Sequence, residues 1–227
     1  MNSSGMRARM RAEMTEEIKA VARRHLADGG ANLSLRAVAR DMEMASSAVY
    51  RYFPSRDDLL TALIIDAYDT LGEQAEQAAA KAEAGLDGWL AAGHAVRDWA
   101  LAEPHEWALI YGSPVPGYRA PEETIGPGTR VILLIGQVLL DAWHGGRLTL
   151  GELPAQAYAQ ELAAVAASLP EEVPPRLVVD TMAMFIMLCG AVSAELFGQL
   201  ANTVDRDRRG FFEFQLRQAA QMAGLGG

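Results

Sequence analysis

Between Ser34 and Leu60 the chain reads SLRAVARDMEMASSAVYRYFPSRDDLL. This stretch gathers four guanidiniums, of which Arg36, Arg51 and Arg56 are candidate contacts, four serine hydroxyls, of which Ser34, Ser46 and Ser47 are candidates, and two phenols (Tyr50, Tyr52). Guanidinium forks and hydroxyls bind phosphate oxygens, and the same groups hydrogen-bond the edges of bases. The chemistry on offer is therefore recognition of a nucleic acid, with no bond made or broken. Each residue also has a plainer use: Ser34 as a helix cap alone, and Tyr52 with Phe53 as part of a core.

Nothing comparable points to catalysis. His25, His94, His105 and His144 stand in no metal-ligand spacing, and His105-Glu106 lacks the second His of a zinc-protease helix. Gly126-Pro127-Gly128 cannot cradle phosphate, because Pro has no N–H and no Gly-Lys-Ser/Thr follows. Ser113 precedes Pro114 and so is no nucleophile between two glycines. Cys189, the single cysteine, lies in an apolar run that should raise its thiol pKa. No enzyme, metal or cofactor is expected. A second group of residues could instead line a pocket: Trp89, His94, Trp99, Trp107, Tyr111, Trp143, Met182, Phe185 and Cys189. Each could equally be core. As a group they suit an apolar or amphipathic small molecule, since ligand cavities are mostly apolar with few polar groups.

The elements that must position these residues are helices. Ser34 can cap a helix on which Leu35, Val38, Ala39 and Met42 share one face. Asp41 to Met44 interrupts it, and a second short helix covers about Ser46 to Tyr52, with Val49 and Phe53 inward. In such a helix-turn-helix the early residues of the second helix reach base edges. Tyr50, Tyr52 and Arg56 are better placed for phosphates. Pro54 ends the helix. Ser55 with Asp58 forms a capping pair, and Asp57 and Asp58 complement the positive end of a long helix to about Ala84. A first helix spans about Arg7 to Asp28, stopped by Gly29-Gly30. Beyond Gly85, further helices are expected over Leu86–Ala102, from Pro104, over Thr129–His144, Leu153–Ser168 and Pro174 to Ala201, and last to about Ala223 from a cap at Asp205 or Asp207. Residues 112–128 hold four prolines and four glycines and read as a loop. The expected architecture is all-α: an N-terminal three-helix DNA-binding domain with a helix-turn-helix over residues 1–60, and a helical domain over 61–227 that holds the ligand-binding candidates.

The stretch from about Thr15 to Leu63 resembles the DNA-binding domain of the TetR repressor family. Tyr50-Arg51-Tyr52-Phe53 and Ser55-Arg56-Asp57-Asp58-Leu59 carry the likeness. The sequence departs from the family where Glu43 replaces the turn Gly, Ala45 the capping Ser, and Ser47-Ala48 a Gly-Thr pair. If the left-handed turn is kept, Glu43 costs roughly 1 kcal/mol. Ser46 or Ser47 could then act as the cap one residue later. Trp107 to Tyr118 and Cys189 to Gly198 resemble the so-called WHG type of C-terminal domain, although Phe185 and Cys189 stand where its Trp and His belong and only Gly190 remains. The resemblance implies a dimeric regulator, usually a repressor, that reads a palindromic double-stranded DNA operator and senses a small-molecule effector. Its last two long helices would pair with those of a second copy. The alternatives are a DNA-binding regulator sensing a protein partner or nothing, and a helical carrier or enzyme using the pocket alone.

Charge supports the division. Net charge is −9. Residues 1–56 hold ten Lys and Arg against six Asp and Glu, whereas residues 57–227 hold ten against twenty-three. A basic head on an acidic body is what a protein that touches DNA only with its head requires. One cysteine excludes an internal disulfide and fits a reducing cytoplasm. The longest apolar run, Val131 to Leu140, is too short to span a bilayer and contains Gln137, so no membrane is expected.

Overall fold

A computed structural model describes residues 3–29, 33–153, 155–169 and 172–226. Among them the chain is all-helical: α1 (Ser3–Gly29), α2 (Leu35–Asp41), α3 (Ser46–Val49), α4 (Arg56–Lys81), α5 (Leu86–Ala102), α6 (Pro104–Tyr111), α7 (Ile125–His144), α8 (Ala157–Ser168), α9 (Pro175–Leu196) and α10 (Arg208–Met222). A lone antiparallel bridge joins Leu148 to Leu225.

Local chemistry explains most boundaries. Ser34 caps α2, its Oγ accepting from the Ala37 N–H at 3.4 Å. Ser55 Oγ accepts from the Asp58 N–H at 3.1 Å and donates to the Asp58 carboxylate at 2.8 Å, which starts α4. Asp207, one of the two expected caps, holds α10 through the Gly210 N–H at 2.8 Å. Several boundaries differ from expectation. Helix α1 begins at Ser3, four residues early, because Met, Arg and Ala are good helix formers. Gly30 and Pro170, expected to stop α1 and α8, lie outside the described residues. Helix α7 begins at Ile125, inside the expected loop. Pro127 falls in its first turn, where an N–H has no helical partner to lose. Helix α9 ends at Leu196 because Gly198 takes φ +77° and the Gln199 N–H reaches back to the Ala194 carbonyl at 2.9 Å.

The chain divides into two compact units. The first joins Met1–Tyr68 to Glu103–Pro127, and the second joins Asp69–Ala102 to Gly128–Gly227. This packing division differs from a single cut after residue 60. Helix α6 and the loop behind it, which the sequence grouped with the later helices, belong with the head. The first core is built on Ile18, Ala22, Val38, Val49, Leu59 and Leu60, and Val115 closes it with Leu109 and Tyr118 alongside. Tyr118 Oη lies 2.9 Å from Thr61 Oγ1. Arg23 ties α1 to α4 and α6, donating to Asp66 at 2.7 Å and to Glu106 at 2.6 Å. Burial opposes the charge on Lys19, but bonds to Asp66 and Glu16 outweigh it and raise its pKa.

In the second unit α9 and α10 pack against α5 and against each other. A Cβ on Gly93 of α5 would sit 2.5 Å from Leu216 Cδ1 of α10, so these helices approach closely only because Gly93 has none. Arg97 of α5 grips Glu195 of α9 with two bonds of 2.7 and 2.6 Å, both side chains being buried. Glu122–His144 and α9 are long and apolar enough, by length and composition, to cross a membrane. Within the unit that apolarity has another use: Val131, Ile135 and Leu139 on α7, and Leu177, Met184 and Leu188 on α9, are buried among helices.

Candidate nucleic-acid interface and effector cavity

The turn between α2 and α3 fixes the reading head. Glu43 adopts φ +54°, the left-handed conformation that the Gly-to-Glu departure would demand. Its N–H bonds the Arg40 carbonyl at 3.0 Å, and the Met44 N–H bonds the Ala39 carbonyl at 2.9 Å. These are the two bonds of a Schellman motif, which satisfies the last carbonyls of α2 and turns the chain into α3. Helix α3 starts at Ser46 with Ala45 as its cap residue and no side-chain bond. Neither Ser46 nor Ser47 takes the capping role, so Ser46 stays half-buried and Ser47 exposed, with both hydroxyls on the helix itself. The α-helix is only four residues long. It continues to Phe53 through tighter turns, as in the bond from the Arg51 N–H to the Ala48 carbonyl.

Val49 and Phe53 are buried beneath α3, leaving Ser47, Tyr50 and Arg51 exposed above it. Arg36 is exposed on α2. Neither Arg36 nor Arg51 forms an ion pair among the described residues, so both guanidiniums are available to phosphate or base. Tyr52 is half-buried, and the Arg11 guanidinium sits 5.0 Å from its ring centroid. Arg11 also donates to the Arg51 carbonyl at 3.1 Å, which ties the N-terminal helix to the end of the recognition segment. Arg11 is a residue the sequence reading missed, since its role depends on contacts forty residues away. Arg56 differs from an open phosphate-binding cation. Its Nε donates to the Leu33 carbonyl at 3.2 Å, and Asp57 lies 3.4 Å from its Nη1, so it pins the approach to α2.

The expected pocket residues do not converge. Trp107 and Tyr111 belong to the first unit, their rings 4.5 Å apart and Tyr68 at 5.9 Å from Tyr111. In the second unit Trp89 is fully buried and its Nε1 donates to the Leu216 carbonyl at 2.9 Å, so it is a strut between α5 and α10. Trp99 is buried and its Nε1 has no bond among the described residues. His94 faces Glu213 at 3.4 Å and Phe212 at 5.8 Å. Burial and the nearby Arg209 push its pKa down, overriding the pull of Glu213. Trp143 is half-buried against the exposed His144. Phe185 and Cys189 are half-buried on α9, and burial pushes the Cys189 thiol up to about 12, as its apolar surroundings led one to expect.

Among the described residues, Met182 alone of that set lines a cavity of about 410 Å³ between α7, α8 and α9 of the second unit. Its walls are aliphatic: Ile132, Leu133 and Leu140 from α7, Leu162 and Val165 from α8, Leu177 from α9. One end of α7 is bolted to α4. Arg130 donates to Glu76 at 2.9 and 2.7 Å, and to the carbonyl and carboxylate of Asp69 at 3.0 Å each. The bond to Arg130 keeps the Glu76 carboxyl below its usual range. Gly72 makes this fit possible, since a Cβ there would lie 2.7 Å from Arg130 Nε.

Comparison with known proteins agrees with this geometry. The family of bacterial regulatory proteins, tetR family, matches residues 18–63, and the tetracyclin repressor-like C-terminal domain matches residues 89–219. The latter match does not extend to the narrower WHG type. The chain is 37% identical over 220 residues to the HTH-type transcriptional regulators Mb1846 of Mycobacterium bovis and Rv1816 of Mycobacterium tuberculosis, covering 94% of this chain and 93% of each relative. It is similar to the crystal structure of SCO4313 at 31% identity and a TM-score of 0.79, covering 94% of this chain and 98% of that one. A bacterial regulatory protein in the tetR family from Rhodococcus RHA1 shares the fold at 13% identity and a TM-score of 0.64, over 94% and 98% of the two chains. Matched in its helix-turn-helix, in its helical body and along nearly its whole length, this chain belongs to the TetR family: it is a DNA-binding transcription regulator and not an enzyme.

Proposed function

We propose that the chain is a homodimeric repressor that leaves a palindromic operator when a small apolar or amphipathic effector binds. Residues 1–60 supply the DNA-binding surface, with Arg51, Ser47 and Ser46 toward the bases and Tyr50 toward phosphates. Arg36, Tyr52 and the hydroxyl of Ser34 lie toward phosphates. Residues 61–227 supply the effector site and the dimer contact, and the protein works in the cytoplasm. The observation that carries this reading is the continuity of α4. One helix is capped by Ser55 beside the recognition segment and is then clamped by Arg130 of α7, the helix that lines the cavity. An effector that displaces α7 therefore pulls on α4. It must prefer the displaced state, because equal affinity for both states shifts nothing.

Dimerisation rests on the outer faces of α9 and α10, where Ile186 is 61% and Phe214 55% exposed. Large apolar side chains open to water in the middle of α9 and α10 suit a second copy. Two heads can then read half-sites about 34 Å apart. Selection of bound sequences from a random duplex pool tests the reading. A palindrome of two half-sites one helical turn apart should emerge. Arg51→Ala should cost about 1–3 kcal/mol and relax one position per half-site. Arg36→Ala should weaken all sequences alike and lower the salt slope by about 1. A pool with no enriched palindrome would overturn the reading.

A further inference from the structure

We propose that the cleft between α7, α8 and α9 is the ligand site, and that it takes an uncharged, mainly hydrocarbon molecule carrying one hydrogen-bonding oxygen. The inference rests on the effector-responsive reading and gives the effector a place and a chemical class. A volume of about 410 Å³ lies within the range of small-molecule sites. Among the described residues no Asp, Glu, Lys, Arg or His lines it. An ion entering would give up its water with no counter-charge to receive it, which excludes ionised acids and amines.

Thr129 and Gln137 also line the cleft, but Gln137 donates its Nε2 to Asp141 at 2.8 Å and Thr129 is engaged elsewhere, so Thr181 sets the polar requirement. It lies on α9 in the wall of the cleft, is 9% exposed, and its Oγ1 has no hydrogen bond among the described residues. Buried hydroxyls are nearly always bonded, commonly to a carbonyl one turn back in the same helix, and this one is not. Opposite it on α7 stands Gly136, where an added Cβ would rest 3.7 Å from Thr181 Oγ1 and 3.6 Å from its Cγ2. Glycine inside a helix costs stability relative to alanine. Its missing side chain here keeps room beside the hydroxyl. Thr129, at the other end of the lining, adjoins Arg130 and its clamp on α4, so a guest that parts α7 from α9 acts on that clamp.

Three probes separate the requirements: 4-phenylphenol, biphenyl and biphenyl-4-carboxylate, each titrated by calorimetry into the full chain without DNA. The phenol should bind, biphenyl should bind roughly three- to tenfold more weakly, and the carboxylate should not bind. Thr181→Val should reduce the phenol to the level of biphenyl and leave biphenyl unchanged. Gly136→Leu should abolish both. Circular dichroism checks folding, and if Gly136→Leu does not fold, Thr181→Val decides alone. Phenol affinity within twofold of the parent protein in both variants, failure of all three probes to bind, or tight binding of the carboxylate would overturn the proposal. So would a Leu133→Glu variant that turned a dimer into monomers with probe affinity unchanged, since the cleft would then be a subunit contact. Binding that obeys these variants but leaves DNA affinity untouched supports the site and sinks operator release. A compound that releases DNA with an affinity blind to both variants does the reverse.

Discussion

Glu43 is the residue where the sequence and the turn disagree most plainly. Its φ of +54° places a side chain against its own carbonyl, and the Schellman bonds at Glu43 and Met44 hold it there. The penalty is borne because the alternative, a straightened turn, would leave carbonyls of α2 unbonded and swing Arg51 away from Arg36. Glu43→Gly should therefore stabilise the protein by about 1 kcal/mol, read as a higher urea midpoint with an unchanged slope. The replacement also removes a negative charge next to the DNA-facing surface, so operator affinity should rise along with stability. An unchanged or lowered urea midpoint would mean that the turn relaxes out of the left-handed region in solution.

At the scale of elements, the second unit holds a buried polar rivet among apolar faces. Arg97 and Glu195 join α5 to α9, and the Arg97 guanidinium also lies 5.7 Å from the ring centroid of Phe212 on α10. Arg97→Met should cost about 3–5 kcal/mol, because Glu195 is left buried without its partner. The double change Arg97→Met with Glu195→Leu should recover most of that loss in chemical denaturation. A double variant as unstable as the single one would show that the pair holds more than its own charges. Helices like these were readable wherever local chemistry sets their ends. Ser34, Ser55 with Asp58, and Asp207 cap where they were expected to, and α5 spans Leu86–Ala102 as read. The start of α7 was hidden because Pro127 and its flanking glycines look like loop when their position in a first turn is unknown. The cavity was hidden for a different reason. Aromatic residues such as Trp89 and Trp107 drew attention as pocket walls, but large rings fill space and became core. The space left over lies among Leu, Ile and Val side chains whose helices meet at a distance in sequence. Thr181 gave no local signal, since a threonine inside an apolar helix ordinarily bonds its own backbone.

The whole molecule divides its labour by charge and by greasiness. Residues 1–56 hold ten basic against six acidic side chains, and residues 57–227 ten against twenty-three, so the body repels the duplex that the head holds. The exposed apolar residues Ile186 and Phe214 belong to the body, on α9 and α10. Sedimentation should find a dimer at micromolar concentration, and Ile186→Asp should shift it to monomer while lowering operator affinity by more than tenfold, since each head alone reads only half a site. A variant that stayed dimeric would place the contact elsewhere on the body.

The lid that Val115, Leu109 and Tyr118 place over the head has a practical corollary for dissecting this protein. The recognition module is discontinuous along the gene, so a fragment stopped at residue 60 would uncover Leu59 and Leu60 and lose the bond between Thr61 and Tyr118 altogether. Domain swaps that graft this head onto another sensor need to carry residues 103–127 with it, or they will deliver a sticky, half-clothed reader.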